Sequence, residues 1–65
     1  MKITKTYNNP NNNGKELVER VGNKFFISSD WGNGFCQKSE VSRSDVKFAM
    51  EYTRAPAEVI AAILA

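Results

Sequence analysis

Few residues of this chain have the types and the spacing that chemistry requires. Among its 65 residues the sequence has one cysteine, Cys36, and no histidine. It can therefore form no Ser-His or Cys-His pair and no imidazole metal ligand, which are the commonest means of making a small site reactive. A single cysteine also excludes an intramolecular disulfide and a zinc site built from several thiolates.

Cys36 itself has little to activate it. A reactive thiol needs an electropositive, accessible setting that lowers its pKa. The neighbouring cation is Lys38, two residues away on the same face of a predicted strand. The pattern favours burial of Cys36 as a small apolar side chain over a reactive thiol.

The acidic residues and the glycines also lack the spacing of known sites. No DxD pair, EF-hand loop or repeated carboxylate pair is present, so we expect no metal site. Gly32-Asn33-Gly34 lacks the third glycine and the following helix of a dinucleotide-binding loop, and no GxxxxGK(S/T) loop occurs. We therefore expect a protein that is not an enzyme and that binds no cofactor.

The length and charge of the chain allow a single small domain, residues 1–65. A domain of this size buries only about 60% of the surface that its unfolded chain exposes, which leaves room for one core. Nine Lys and Arg residues against seven Asp and Glu residues give a net charge of +2. The N-terminal lysines precede no apolar segment, and the apolar stretch 57–65 is far shorter than the ~20 residues that span a bilayer. We expect a cytoplasmic protein with no membrane partner.

The first part of the chain, residues 1–38, has the pattern of a β-meander. Gly22-Asn23 supplies the positive φ of a tight hairpin, and the asparagine-rich segment 8–14 has the composition of a loop. The strands predicted around these turns are 2–7, 15–21, 24–29 and 35–38.

Alternation along the hairpin strands assigns their apolar residues to two faces of the sheet. Val18 and Phe26 are predicted to lie opposite the core, either in a small apolar cluster under a loop or against a second covering element or a partner molecule. The face predicted to pack on the helices carries Leu17, Val21, Phe25 and Ile27.

Helical periodicity begins at Ser42. This serine has the spacing of an N-cap to Asp45, and Val41 stands at the position from which it can pack on Val46. The apolar stripe that is predicted to face the sheet consists of Val46, Ala49 and Met50.

Pro56 divides the helical part, residues 42–65, into two helices. Proline ends or kinks a helix at the preceding residue and is tolerated in the first turn of the next one. Together with the meander, this pattern predicts an α+β fold with a small antiparallel sheet of three to four strands followed by two consecutive C-terminal helices.

The terminal helix has almost no polar face. A helix that is apolar nearly all round is normally buried on more than one side, and a 65-residue monomer has little material for that. We therefore expect a homodimer. Its predicted interface consists of Phe48, Tyr52, Val59, Ile60, Ile63 and Leu64.

These features favour a non-catalytic module that binds another protein and inhibits or modulates it. Tryptophan is enriched at binding hot spots, and Trp31 lies in a predicted loop; a lid over the core is the equally weighted alternative. The predicted contact residues are Tyr7, Asn11, Asn12, Trp31 and Phe35. By analogy of size and style alone, small chains of this kind are often phage or mobile-element proteins that act against host defence, such as anti-CRISPR proteins.

The alternative function is a small nucleic-acid-binding regulator. In this hypothesis a lysine-bearing face of the sheet contacts phosphates and the helices form the dimer core, as in β-ribbon DNA binders. The residues predicted to carry it are Lys2, Lys5, Lys15, Arg20 and Lys24.

Overall fold

The protein consists of an antiparallel sheet with two helices packed on one of its faces. The computed structural model describes all residues, 1–65. Its elements are β1 Lys2–Asn9, β2 Gly14–Val21, β3 Lys24–Asp30, β4 Ser39–Val41, α1 Arg43–Tyr52 and α2 Ala57–Leu64. The strands lie side by side in chain order, which confirms the predicted α+β meander followed by two helices. Neither helix is long and apolar enough to cross a bilayer.

The asparagine-rich segment forms a much tighter connection than the loop predicted for residues 8–14. β1 continues to Asn9 and β2 begins at Gly14, so only residues 10–13 lie outside the strands. The backbone N–H of Asn13 donates to the Asn9 carbonyl oxygen at 2.9 Å, and Asn13 itself has φ of 60°. Asparagine tolerates this left-handed conformation better than most residues, which is why the chain reverses here without glycine.

The hairpin at Gly22-Asn23 is confirmed, and its register corrects the predicted division of the sheet into faces. A two-residue turn pairs Val21 with Lys24, so that Val18 lies opposite Ile27. Because directly paired residues point to the same face, Val18 shares the helix-covered face with the two residues Phe25 and Ile27. The predicted core positions of Leu17 and Val21 were wrong. They lie on the other face, hereafter the open face, together with Phe26.

The core lies between the sheet and the helices, with α1 over β3 and α2 over β1 and β2. Val46 and Met50 of α1 are fully buried as predicted, whereas Ala49 is only partly covered. The side chains of the core cluster are Tyr7, Val18, Phe25, Val46, Met50, Val59 and Ile63.

The fourth strand lies further along the chain than predicted. The expected strand was 35–38, whereas β4 pairs with β3 only through residues 39–41. Cys36 still runs beside β3, since its N–H donates to the Ser29 carbonyl oxygen at 3.1 Å. Its own carbonyl accepts a 2.6 Å hydrogen bond from the Ser28 hydroxyl. A side-chain donor has thus taken a carbonyl that a regular ladder would use, which interrupts the strand.

Both ends of α1 are defined by local hydrogen bonds. The Ser42 hydroxyl accepts from the Asp45 N–H at 3.1 Å, which confirms the predicted N-cap. α1 ends at Tyr52, earlier than the proline alone predicts, because Arg54 adopts φ of 59°. The Ala55 N–H then donates to the Met50 carbonyl oxygen at 2.8 Å, the closing bond of a Schellman motif.

Two arginines close the C-terminal end of α2. Arg20 donates to the Ile63 carbonyl oxygen at 3.0 Å, and Arg43 donates to the Leu64 carbonyl oxygen. Their guanidinium carbons lie 5.2 and 5.8 Å from the centre of the Phe25 ring. Positive charge at a helix C-terminus complements the helix dipole, so these contacts hold an otherwise apolar helix on the sheet.

Candidate interaction surface

The turn between β1 and β2 is held together by its own asparagine side chains. Asn9 Oδ1 accepts from the Asn11 N–H at 2.9 Å, and Asn12 Oδ1 accepts from the Gly14 N–H at 2.8 Å. The Asn11 amide also donates to the Tyr52 carbonyl oxygen at 3.1 Å. This last bond ties the turn to the end of α1, so the polar loop is an ordered part of the structure.

A buried polar cluster supports the turn from below. Asn9 Nδ2 donates to Glu16 Oε2 at 2.9 Å, and the Ser29 hydroxyl donates to Glu16 Oε1 at 2.6 Å. Both Asn9 and Glu16 are buried, and each oxygen of the carboxylate has a donor. A fully satisfied buried cluster of this kind fixes the positions of the groups that form it.

Trp31 lies beside this turn and is exposed. Its side chain has 76% of its surface accessible, so it does not form a lid over the core. A Cβ placed on Gly14 would lie only 2.7 Å from Trp31 Cδ1, which shows how closely the indole approaches the backbone of β2. Asp30 Oδ1 accepts from the N–H groups of Gly32 and Gly34 at 2.8 and 3.0 Å and thereby orders the loop that follows.

Phe48 and Tyr52 lie on the outer side of α1 and are also exposed, by 69% and 70%. Their rings are stacked, with centroids 6.1 Å apart and planes inclined by 18°. Asn11 of the turn bonds to the Tyr52 carbonyl oxygen, and Gly14, which directly follows the turn, lies beside the indole of Trp31. We name the surface formed by Trp31, Phe48, Tyr52 and the turn 10–13 the aromatic surface.

The other predicted contact residues are distributed differently. Tyr7 belongs to the core, with only 9% of its surface accessible, and therefore lies outside the surface. Phe35 is partly exposed in the segment between Trp31 and β4. Asn11 and Asn12 belong to the turn, where their side chains bond within the molecule.

The residues predicted as a dimer interface fall into two groups. Val59 and Ile63 lie in the core, and Ile60 and Leu64 pack against that core from its edge. One chain therefore buries the apolar side of α2 by itself, and the apolar character of this helix no longer requires a second copy. Of the predicted set, only Phe48 and Tyr52 are exposed and free to contact another molecule.

The cations predicted to bind nucleic acid do not converge. The strand registers place Lys5 and Arg20 on the helix-covered side, and Arg20 bonds to the end of α2. The members of the set that share the open face are Lys2, Lys15 and Lys24.

The open face also carries a charged cluster that no sequence pattern predicted. Glu19 is buried there, and Lys38 Nζ lies 2.8 Å from its Oε1. Lys2 Nζ lies 3.4 Å from Oε2, to which the Thr4 hydroxyl also donates at 3.0 Å. The hydrogen bond from Lys38 is the main reason why the pKa of Glu19 is lowered. The sequence feature that could have indicated this cluster is a single acidic residue, Glu19, between Leu17 and Val21 on an otherwise apolar strand face.

Cys36 is exposed, which corrects the expectation of a buried side chain. Its Sγ lies 3.4 Å from the Ser28 hydroxyl and 3.5 Å from the Ser29 backbone nitrogen. These hydrogen bonds, that of Ser28 first, lower the pKa of the thiol. The sequence pattern failed because Cys36 lies outside the ladder, where side-chain alternation no longer applies.

The structure contains no enclosed pocket, and no three His, Cys, Asp or Glu side chains cluster as metal ligands would. Comparison with protein-family models, with curated proteins and with solved structures gave no match.

Proposed function

We propose that this protein is a non-catalytic module that binds another protein through the aromatic surface and modulates it. The observation that carries the proposal is the exposure of three large aromatic side chains, Trp31, Phe48 and Tyr52, around one ordered turn. Tryptophan and tyrosine dominate binding hot spots because they bury much area at a small entropic cost.

The order of the turn adds to this argument. A loop that is already fixed by hydrogen bonds loses little conformational freedom when a partner binds to it. The bonds from Asn11 and Asn12 and the buried Glu16 cluster provide that order in the free molecule. Inhibition of a larger partner by covering part of its surface, as in the anti-defence analogy, is the mode of action that we propose for so small a module.

Affinity capture from a lysate of the source cells, with and without nuclease treatment, tests this proposal. We expect a protein that the wild type retains and that Trp31→Ala and Tyr52→Ala each lose. Val21→Ala is the matched control, because Val21 is also a partly exposed apolar side chain but lies on the open face beside the Gly22-Asn23 hairpin. Equal capture by Trp31→Ala and wild type contradicts the proposal. Recovery of nucleic acid alone, abolished by nuclease, supports the lysine-based alternative instead.

A second experiment tests whether a second copy of the chain occupies the aromatic surface. Light scattering after size-exclusion chromatography gives the particle mass, against 7.3 kDa for one chain. A doubled mass that returns to that of one chain in Phe48→Ser identifies a homodimer formed through α1. A single-chain mass leaves the aromatic surface free for a different protein.

A further inference from the structure

The sheet has one long free edge. β1 is the outermost strand on one side and runs for eight residues, Lys2–Asn9, with no proline, glycine or bulge inside it. The opposite edge, β4, is a strand of only three residues. Long straight edges offer unpaired backbone groups to another strand, and natural proteins normally shorten or cover them.

The hydrogen bonds of the ladder show which backbone groups of β1 are free. The Gly22 N–H donates to the Met1 carbonyl oxygen at 3.2 Å, which places Met1 among the residues whose backbone faces β2. Backbone direction alternates along a strand, so the odd-numbered residues of β1 bond to β2. The residues whose N–H and C=O groups point outward are Lys2, Thr4, Thr6 and Asn8.

The charge on this edge has one sign. Its charged side chains are Lys2 and Lys5, and the first acidic residue of the chain is Glu16. Lys2 contacts Glu19 but keeps 63% of its side chain accessible. Lysines on an edge repel an identical edge, because like charges opposite each other destabilise a strand pair, whereas an acidic strand is attracted.

We infer that the β1 edge binds an extended acidic segment of the partner protein, which adds to the sheet as a fifth strand. This inference rests on the proposed function, because the segment belongs to the protein that the module binds. Lys5 and Lys2 lie three residues apart on opposite faces, so the segment carries two carboxylates with the same spacing. The free edge alternates donors with acceptors, which matches a peptide backbone and not a row of phosphates.

Hydrogen exchange with a designed peptide tests the inference. The probe is a ten-residue peptide rich in threonine and valine that carries two glutamates three residues apart, and the control peptide has lysines in their place. We expect the probe to slow exchange at the outward amides of Thr4, Thr6 and Asn8. We expect Lys2→Met and Lys5→Met each to weaken binding by about two- to fivefold, the effect of one cross-strand charge pair.

The variant Thr6→Pro tests the β1 edge without changing the hydrogen bonds inside the fold. The Thr6 N–H points outward, so Thr6→Pro removes a donor that only the added strand uses and is compatible with an edge position. We expect Thr6→Pro to abolish peptide binding while core amides such as Val18 stay protected. Thr6→Val keeps the donor and is expected to bind as the wild type does. If Thr6→Pro does not fold, the lysine variants and the control peptide still test the inference.

Four results overturn the inference. They are unchanged exchange at the outward amides, equal binding of the lysine-bearing peptide, protection of these amides by protein concentration alone, and their protection by a single-stranded oligonucleotide. The third result assigns the edge to a second copy, and the fourth assigns it to nucleic acid. If the peptide does not bind while capture of the partner protein still depends on Trp31, only the edge inference is overturned. If capture does not depend on Trp31, the proposed function is contradicted, and the peptide experiment still tests the edge by itself.

Discussion

The Tyr7 hydroxyl lies 2.6 Å from the Thr53 hydroxyl and joins the first strand to the end of the first helix across 46 positions of sequence. The Thr53 hydroxyl also donates to the Ala49 carbonyl oxygen at 2.6 Å, so the three groups form one hydrogen-bonded chain. Burial raises the pKa of Tyr7, the hydrogen bond with Thr53 opposes this shift, and the charge of Glu16 adds to it. The Tyr7 side chain thus fills the core below the aromatic surface and joins the sheet to the helical layer.

Tyr7→Phe removes this bond without removing the ring. We expect the free energy of unfolding to fall by about 1 kcal/mol, the net value of one intramolecular hydrogen bond. Tyr52→Phe is the matched control, because the exposed Tyr52 side chain packs outside the core, and we expect a change within about 0.5 kcal/mol. Urea unfolding followed by circular dichroism measures both, and equal losses in the two variants contradict a structural role for the Tyr7 hydroxyl.

The same tyrosine makes stability depend on alkaline pH. The folded pKa of Tyr7 lies above its ordinary value of 10.0, so the unfolded chain loses the proton first as pH rises. The stabilisation is therefore complete below about pH 10 and is lost as the pH rises through the folded pKa. We expect Tyr7→Phe to flatten the stability curve above about pH 10. An unchanged slope in this variant would assign the alkaline loss to other groups.

Glu19 makes the free energy of unfolding depend on pH in the acid range, where stability falls as the pH falls. Its folded pKa is lower than the ordinary 4.5, chiefly because Lys38 donates to the carboxylate. Its contribution is therefore present above that ordinary value and is lost as the pH falls through the lowered pKa. We expect Glu19→Gln to reduce the slope of stability against pH below about 4.5, and Lys38→Met to reduce it in part. Glu40→Gln, an exposed acid on β4, is the control. Identical slopes for Glu19→Gln and wild type contradict this account.

Cys36 is expected to react with iodoacetamide at a lower pH than it does in the urea-unfolded chain. The hydrogen bonds to Sγ from Ser28 and Ser29 favour the thiolate, which is the reacting form. We expect Ser28→Ala to move the midpoint of the rate-pH curve upward. Ser39→Ala, at an exposed serine of β4, serves as the control. A midpoint that Ser28→Ala leaves in place would exclude that hydroxyl as the cause.

Gly14→Ala is expected to displace Trp31. The new Cβ would lie 2.7 Å from the indole Cδ1 and 2.9 Å from the Asp30 carbonyl oxygen, both closer than real contacts allow. We expect a loss of about 1–3 kcal/mol, typical of overpacking, together with a shift in tryptophan emission. The double variant with Trp31→Ala recovers only part of the stability, because the contact with the Asp30 backbone remains. Unchanged emission and stability contradict the close packing of Trp31 on Gly14.

The features that were predicted correctly depend on residues close together in sequence. The Gly22-Asn23 turn and the Ser42 cap each involve a few consecutive residues, and Pro56 lies at the N-cap of α2, between the two helices. The α+β order of elements follows from such local signals, because turn chemistry and capping act over three or four residues.

The candidate site required information that no local pattern contains. Asn11 meets the Tyr52 carbonyl across 41 positions, and Glu19 meets Lys38 across 19. The predicted face of β2 was wrong because alternation identifies two sets of residues but not which set the helices cover. That choice depends on cross-strand register.

The sequence by itself determined the element order, the Gly22-Asn23 turn, the helix cap and the shortage of catalytic residue types. The tertiary structure alone decided that α2 buries Val59 and Ile63 within one chain and that Trp31, Phe48 and Tyr52 remain outside it. The physical reason is that a small core can bury only a few side chains, and long-range packing decides which apolar side chains these are. Those left outside form the surface on which the proposed function depends.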